Sequence, residues 1–400
     1  MGMTSVDLGG LRVRLLERPG ARTTGAVLLV RAGSADDRPA ALGAAHLAEH
    51  LRIAAGPPGP ASMPPVRGVT DNTTTRFSAV SLPEDAPALA ARLAGLLGTS
   101  DLADTVFEAE RQAVLVEHRQ AAANPLLALG PAVADAALPG HGLAATRWAD
   151  ADALARLTPA DTAAFTDRHY RRAVAGLALT GPSLDPDRIL AAIDAAARPS
   201  PPAAQGAYEA YAESDAADAA DAADGPSEDR GRRGGHPLAL SPELDGLVLL
   251  SLTCDPAATD HLTALLGPEG TAQAAALRHG HPVLGRTSLT GRSPSGRAVA
   301  VHVLCWRAGA DADRLADSLA AGAPAYRAAA TAPEALARAS LRRRQEDAHA
   351  ARTPLGAAAA LLGEAPDGPA SPAPPVRQAP PVPEGLALWR VDRGVLRRHV

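Results

Sequence analysis

Residues 44–51 read AAHLAEHL, a His-x-x-Glu-His pattern within a segment of strong helix formers. On a helix, positions i, i+3 and i+4 share one face, so His46, Glu49 and His50 are predicted to point into the same small volume. Two neutral imidazoles one turn apart can bind Zn²⁺ from one side, and a nearby carboxylate can take a proton from water. Taken alone, the five residues also fit an exposed polar helix face.

A zinc ion that is bound by two histidines needs a third protein ligand, usually a carboxylate. Residues 108–118 read EAERQAVLVEH and form a predicted helix that carries Glu110 and Glu117 two turns apart, on one face. Burying two carboxylates would require a cation to compensate for the lost hydration. The alternative is a solvated face that both glutamates share with Arg111 and Arg119.

With these residues in place, the chain resembles the M16 metallopeptidases, the insulinase/pitrilysin family, and most of all its shorter subfamily that includes processing-peptidase subunits. Members carry His-x-x-Glu-His followed by a helix with two glutamates seven residues apart. The resemblance implies a zinc metalloendopeptidase of the inverzincin type with His46, His50 and Glu117 as zinc ligands. It also implies two catalytic residues, Glu49 as general base and Glu110 as a carboxylate that supports the site.

The resemblance extends beyond the motif, to the opening segments LRV at residues 11–13 and RAGS at residues 31–34, and to residues 157–181. It covers residues 8–195 closely and residues 238–345 more weakly. It implies an α+β fold with two M16-like lobes, each a mostly antiparallel sheet packed with helices, joined by a flexible linker.

The length of 400 residues also favours more than one domain. Residues 199–237 are rich in Ala, Asp, Gly and Pro and repeat an Ala-Ala-Asp triplet, which is typical of a linker. Together with the resemblance, this composition predicts a catalytic zinc-binding lobe at 1–198, an acidic linker at 199–237, and a catalytically silent lobe with a Pro-rich tail at 238–400.

Hydrophobic patterns predict the individual elements. The predicted strands are 11–16, 26–30, 75–82, 175–180, 246–252, 299–304 and part of 386–400. The predicted helices are 39–54, 84–97, 105–122, 154–156, 159–170, 186–197, 257–266, 271–278, 310–319 and 333–344, whereas 366–383 is predicted to be irregular.

Three features depart from the family pattern. The segment between His50 and Glu117 is shorter than usual by roughly one short helix, and the proline-rich stretch after Gly56 replaces it. The Asn-Ala pair of the substrate-binding edge strand is not recognisable, unless Asn72 takes its place. In the second lobe, Arg278 matches an arginine that binds substrate backbone, but its expected tyrosine partner, seven residues further on, is Gly285.

Composition excludes several function classes. The net charge of −5 without a long basic run argues against a nucleic-acid partner. No apolar run reaches the ~18 residues that span a bilayer, and the start of the chain does not resemble a signal peptide. The two cysteines, Cys254 and Cys305, form no disulfide framework. We therefore expect a cytoplasmic protein with no membrane partner.

The resemblance thus implies a zinc-dependent endopeptidase that hydrolyses short unfolded peptides, for example leader peptides, in a clamshell chamber. Because Gly285 replaces the expected tyrosine, we expect a second M16-like subunit in a heterodimer, or else a homodimer. The alternative from another class is a non-catalytic M16-like scaffold or binding subunit.

Overall fold

The computed structural model describes residues 2–56, 63–98, 103–122, 125–137, 151–171, 175–196, 245–254, 283–292, 298–331, 351–363, 385–392 and 395–398, together with residues 341, 345, 348 and 349. These residues form two separate β-sheets with helices packed against them.

The first sheet has six strands in the order β1-β2-β6-β3-β5-β4. Only the β2–β6 pair is parallel, and the other four pairs are antiparallel. Strand β4 therefore lies at one edge of this sheet. The strands are β1 Met3–Leu8, β2 Leu11–Glu17, β3 Thr24–Val30, β4 Arg67–Thr70, β5 Thr75–Ser81 and β6 Ala175–Gly181.

Burial along the strands follows their place in the sheet. The central strands β3 and β6 are buried at nearly every position, whereas β2 and β5 alternate between buried and half-buried residues. Continuous apolar runs are typical of strands that are covered on both faces. The centre of the first sheet is accordingly covered on both sides.

The helices beside this sheet come mostly from the same part of the chain. Their core packs apolar side chains such as Leu28, Leu47, Phe77 and Leu89 together. Among the described residues, no helix combines the length and the hydropathy that a membrane span needs. The helices of residues 44–196 are α1 Ala44–Ala55, α2 Ala86–Gly95, α3 Asp104–Ala122, α4 Pro125–Ala137, α5 Ala151–Arg156, α6 Pro159–His169 and α7 Pro186–Ala196, and α4 among them packs on the second sheet.

The second sheet has the order β11-β10-β7-β9-β8, and all its pairs are antiparallel. Its core includes Trp389, whose indole N–H donates a hydrogen bond of 2.9 Å to the buried Ser251 hydroxyl. The elements are β7 Leu247–Cys254, β8 Val283–Arg292, β9 Ala298–Arg307, α8 Ala312–Thr331, α9 Pro354–Gly363, β10 Gly385–Asp392 and β11 Val395–Arg398.

Among the described residues, α4 comes from the half of the chain that forms the first sheet but packs on the second, and α9 comes from the half that forms the second sheet but packs on the first. Helix α4 places Leu129 and Val133 in the core of the second sheet. Helix α9 places Leu361 and Leu362 against Val27 and other residues on the first sheet. The predicted linker at 199–237 lies outside the described residues, and the predicted domain boundaries stay predictions.

Helix α9 is held closely on the first sheet. A Cβ atom on Gly25 of β3 would lie 2.4 Å from the backbone nitrogen of Leu355, so only glycine allows this approach. The Arg14 guanidinium donates to the Leu361 carbonyl, and the Thr180 hydroxyl donates to the Pro354 carbonyl. Side chains of the first sheet thus bind the backbone of α9 at both of its ends.

The α+β architecture with two mostly antiparallel sheets confirms the predicted fold class. The predicted strands of the first sheet and those at 246–252 and 299–304 are present, and the chain end forms the β10–β11 hairpin. Helix α8 continues past the predicted end at residue 319. The sequence interpretation missed β1, β4, β8, α4 and α9. The predicted segments 257–266, 271–278 and 366–383, and nearly all of 333–344, lie outside the described residues.

Candidate metal centre

Helix α1 begins at a half-buried carboxylate. Asp37 accepts hydrogen bonds from the backbone N–H groups of Gly43 (2.7 Å) and Ala45 (2.8 Å), and Gly43 has a φ of 92°, which favours glycine. Burial raises the pKa of Asp37 to about 7, although both N–H groups act in the opposite direction. This carboxylate satisfies N–H groups at the start of α1 and fixes the direction in which the helix enters the site.

The three motif residues lie together on α1. His46 is 2% exposed and Glu49 is 5% exposed, while His50 is half-buried. The imidazole rings of His46 and His50 have centroids 5.0 Å apart and are nearly perpendicular, at 80°. Both rings therefore reach the same small space from one side.

Helix α3 presents Glu117 to the two histidines. The Nε2 atom of His46 lies 3.6 Å from one Glu117 carboxylate oxygen, and the Nε2 atom of His50 lies 3.7 Å from the other. The three residues offer ligand atoms that all lie within 4.8 Å of one another. These separations are too long for hydrogen bonds. Donor atoms on a tetrahedral zinc ion lie roughly 3.4 Å apart, so the N/N/O donor set and the separations of 3.6 and 3.7 Å are compatible with this metal.

Glu110, two turns before Glu117, contacts the other side of His50. Its carboxylate oxygen lies 3.1 Å from His50 Nδ1. A neutral His50 with its proton on Nδ1 donates to Glu110 and directs its Nε2 lone pair toward Glu117. This is the way in which carboxylates beside metal-binding histidines fix the tautomer and the ring orientation.

Glu49 lies against the edge strand β4. The buried Thr70 hydroxyl donates a hydrogen bond of 2.8 Å to one Glu49 carboxylate oxygen. The other oxygen lies beside Gly68, where an added Cβ atom would be only 1.9 Å away. The motif helix and the edge of the first sheet therefore meet at this carboxylate.

In the second half of α1, Arg52 contacts Tyr170, the residue that directly follows α6. The Arg52 guanidinium carbon lies 5.4 Å from the centre of the Tyr170 ring and the guanidinium donates to the Gly98 carbonyl. Burial lowers the pKa of Arg52, and burial together with the Glu49 charge raises the pKa of Tyr170. These contacts hold the C-terminal half of α1 in place.

The structure thus brings His46, His50, Glu110 and Glu117 together, and it places Glu49 on the same helix as the two histidines, with its carboxylate against β4. It places Asn72 in the turn that follows β4, where its carbonyl accepts from the Ala35 N–H at 2.8 Å, and not on the edge strand itself. Arg278 lies outside the described residues, so its predicted contact with substrate stays a prediction. Gly285 lies on β8, at a shift in the β8–β9 register.

Sequence reasoning missed Gly68 and Thr70, which contact Glu49, and it missed the contact between Arg52 and Tyr170. Four residues of β4 give too short a pattern to predict a strand. Asp37, the second of two adjacent aspartates before α1, binds the N-terminus of this helix.

Comparisons with solved structures give the fold independently. A protein described as an M16-like peptidase from Alicyclobacillus acidocaldarius is 16% identical with a TM-score of 0.64, covering 90% of this chain and 87% of that one. A Helicobacter pylori protease is 15% identical with a TM-score of 0.64, covering 90% and 88%. A peptidase M16 inactive domain from Pseudomonas fluorescens is 15% identical with a TM-score of 0.58, covering 86% and 84%.

No sequence model of a protein family matches the chain, and no curated protein does. The similarity is therefore one of three-dimensional structure, and it extends over nine-tenths of the chain. Both β-sheets, with their largely antiparallel pairing, are consistent with this likeness. This chain has the fold of the M16-like peptidases.

Proposed function

We propose that this protein is a zinc-dependent endopeptidase that hydrolyses short unfolded peptides. The observation that supports it most is the convergence of His46 and His50 Nε2 on the Glu117 carboxylate, next to a buried Glu49. Histidines and carboxylates that converge in one cluster are typical of metal sites. The fold, shared with peptidases, supports the same reaction class.

In this proposal, His46, His50 and Glu117 hold the metal, and Glu110 keeps His50 in the tautomer that binds it. Zinc, when bound, acts as a Lewis acid toward a peptide carbonyl and makes water more acidic. Glu49 takes the proton from the attacking water on its carboxylate and then delivers it to the leaving amine. Its burial beside the cluster keeps competing solvent away from this proton transfer.

The edge strand β4 suits an extended peptide. Strand β4 pairs with β5 on one side, and a peptide strand can add to an exposed sheet edge through main-chain hydrogen bonds. Because Gly68 and Thr70 contact Glu49, a peptide added here would pass beside the proposed base. Only a segment without tertiary structure can adopt this conformation, which favours unfolded substrates such as leader peptides.

We also propose that a second subunit takes part. Gly285 stands where the resemblance expects a tyrosine that holds substrate backbone, so the substrate clamp of one chain is incomplete. A second M16-like chain would complete it in a heterodimer, with a homodimer as the other arrangement. One similar solved structure, at 12% identity and a TM-score of 0.61, is that of a complex III assembly from Candida albicans.

The proposal predicts peptide hydrolysis that depends on zinc. We expect the protein, purified with any co-purifying subunit, to cleave a library of unfolded quenched-fluorescent peptides. A chelator should lower this rate by at least about 100-fold, and one equivalent of zinc should restore it. Hydrolysis that is indifferent to the chelator would contradict a metal mechanism.

A non-catalytic M16-like scaffold is the second candidate, and it is favoured by one observation, the similarity to an inactive M16 domain. In that case the protein would bind peptides or a partner and would show no hydrolysis with or without added zinc. The same assay therefore separates the two functions, provided that peptide binding is followed alongside cleavage.

A further inference from the structure

We propose that Thr70 and Gly68 are positioning residues, which hold the Glu49 carboxylate in its catalytic orientation from the edge strand β4. The inference rests on the proposed function, because it assigns Glu49 the part of general base. In this proposal, the short strand β4 orients the Glu49 carboxylate and also forms the sheet edge with which an extended substrate would pair.

The Thr70 contact is a buried hydrogen bond to a carboxylate. Thr70 is 1% exposed and Glu49 is 5% exposed, and the hydroxyl donates to the carboxylate oxygen at 2.8 Å. Hydrogen bonds to charged groups are stronger than those between neutral groups, and they are most directional where water is excluded. This bond therefore restricts rotation of the Glu49 side chain about its last two torsions.

Gly68 has no side chain, and the Glu49 carboxylate occupies the space that a Cβ atom at this position would fill. The three atoms closest to an added Cβ atom are Oε1, Cδ and Cγ of Glu49, at 1.9, 2.5 and 2.7 Å. A methyl group at position 68 would have to displace the end of this side chain and need not move any backbone. Its effect should consequently fall on the orientation of Glu49 far more than on folding.

The pairing register of β4 with β5 determines which backbone groups of β4 face the open edge of the sheet. Asp71 N–H donates to the Thr74 carbonyl at 2.8 Å, which makes this pair a hydrogen-bonded one. Along an antiparallel ladder such pairs alternate, so Val69 bonds to β5, while Gly68 and Thr70 direct their backbone groups away from β5. The residues that hold Glu49 are hence those whose backbone would meet an added peptide.

The first test compares Thr70→Val with Thr70→Ser. Valine keeps the shape but removes the donor, so we expect kcat to fall about 10-fold while KM stays within about twofold. Serine keeps the donor and should restore kcat to within about threefold of wild type. Thr166→Val, which removes another buried hydroxyl that donates to the Ala163 carbonyl, is the matched control and should leave kcat unchanged.

The second test compares Gly68→Ala with Gly20→Ala, since an added Cβ atom on Gly20 meets nothing within 4 Å. We expect Gly68→Ala to lower kcat about 100-fold, because its methyl group displaces the base. The zinc content should stay close to that of wild type for both variants, and the thermal midpoint of Gly68→Ala should fall no further than that of Thr70→Val, which breaks the same hydrogen bond. A larger loss of stability in Gly68→Ala would contradict the inference that the added methyl group displaces only the Glu49 side chain.

A readout that is independent of activity comes from a double-mutant cycle on unfolding. Thr70→Val should destabilise the wild-type chain but not the Glu49→Ala variant, which lacks the acceptor. Additive effects would overturn the inference, as would an unchanged kcat in Thr70→Val. If wild type hydrolyses no peptide, the proposed function fails, whereas the cycle still decides whether Thr70 holds Glu49.

Discussion

Replacing Glu49 with glutamine is expected to lower kcat for peptide hydrolysis by roughly 1,000-fold while the chain keeps its zinc. Glutamine has the same shape and can still accept the hydrogen bond from Thr70, so the packing around position 49 is preserved. It cannot take up a proton from water, which is the step that the proposal assigns to this residue. Steady-state kinetics and metal analysis on the same preparation measure both quantities.

The matched control is Glu108→Gln on helix α3, where an exposed glutamate contacts Arg111 and Gln112 on the surface. This variant makes the same chemical change outside the site, and we expect its kcat to equal that of wild type. Near-wild-type hydrolysis by Glu49→Gln would remove Glu49 from the mechanism, even if zinc is bound.

Replacing Gly25 with alanine is expected to have the largest effect on stability, a loss of about 3 kcal/mol in the free energy of unfolding. The added Cβ atom would lie 2.4 Å from the backbone nitrogen of Leu355 and 2.7 Å from its Cα. Backbone atoms of a helix cannot move aside singly, so α9 must shift as a unit. Leu361 and Leu362 would then lose part of their burial against the first sheet.

Denaturant titration measures this loss, and limited proteolysis tests whether α9 has separated from the sheet. Gly2→Ala is the matched control, because an added Cβ atom there meets nothing within 4 Å. A Gly25→Ala chain as stable as the control would mean that the close approach of α9 to β3 does not hold in solution.

The first half of the fold was largely predictable because its strands have strong local patterns. The run at Ala26–Val30 is continuously apolar, and β3 indeed lies at the centre of the sheet. Helix α9 was missed for a physical reason. Its sequence PLGAAAALLG is apolar on every side, so no stripe indicates a docking face, and its partner is a sheet formed far away in the sequence.

The candidate site was predictable in its residues but not in its contacts. Helical spacing was enough to group His46 with His50 and Glu110 with Glu117, because residues on one face follow from the helical repeat. The choice of Glu117 as the third ligand came from the resemblance to the M16 family. The contacts of Glu49 with Thr70 and Gly68 depend on where α1 crosses the edge of the sheet, which no local pattern encodes. The bond between Glu110 and His50 likewise depends on how α1 and α3 pack.

The central claim is that His46, His50 and Glu117 form one zinc site, and a zinc titration of metal-free protein tests it most directly. We compare wild type with Glu117→Gln, which removes the carboxylate ligand, and with Glu108→Gln on the same helix as control. We expect one zinc per chain in wild type and control, and an affinity at least about 100-fold weaker in Glu117→Gln. Wild-type protein that binds no zinc, or a Glu117→Gln chain that binds it equally well, would show that these three residues do not form a zinc site.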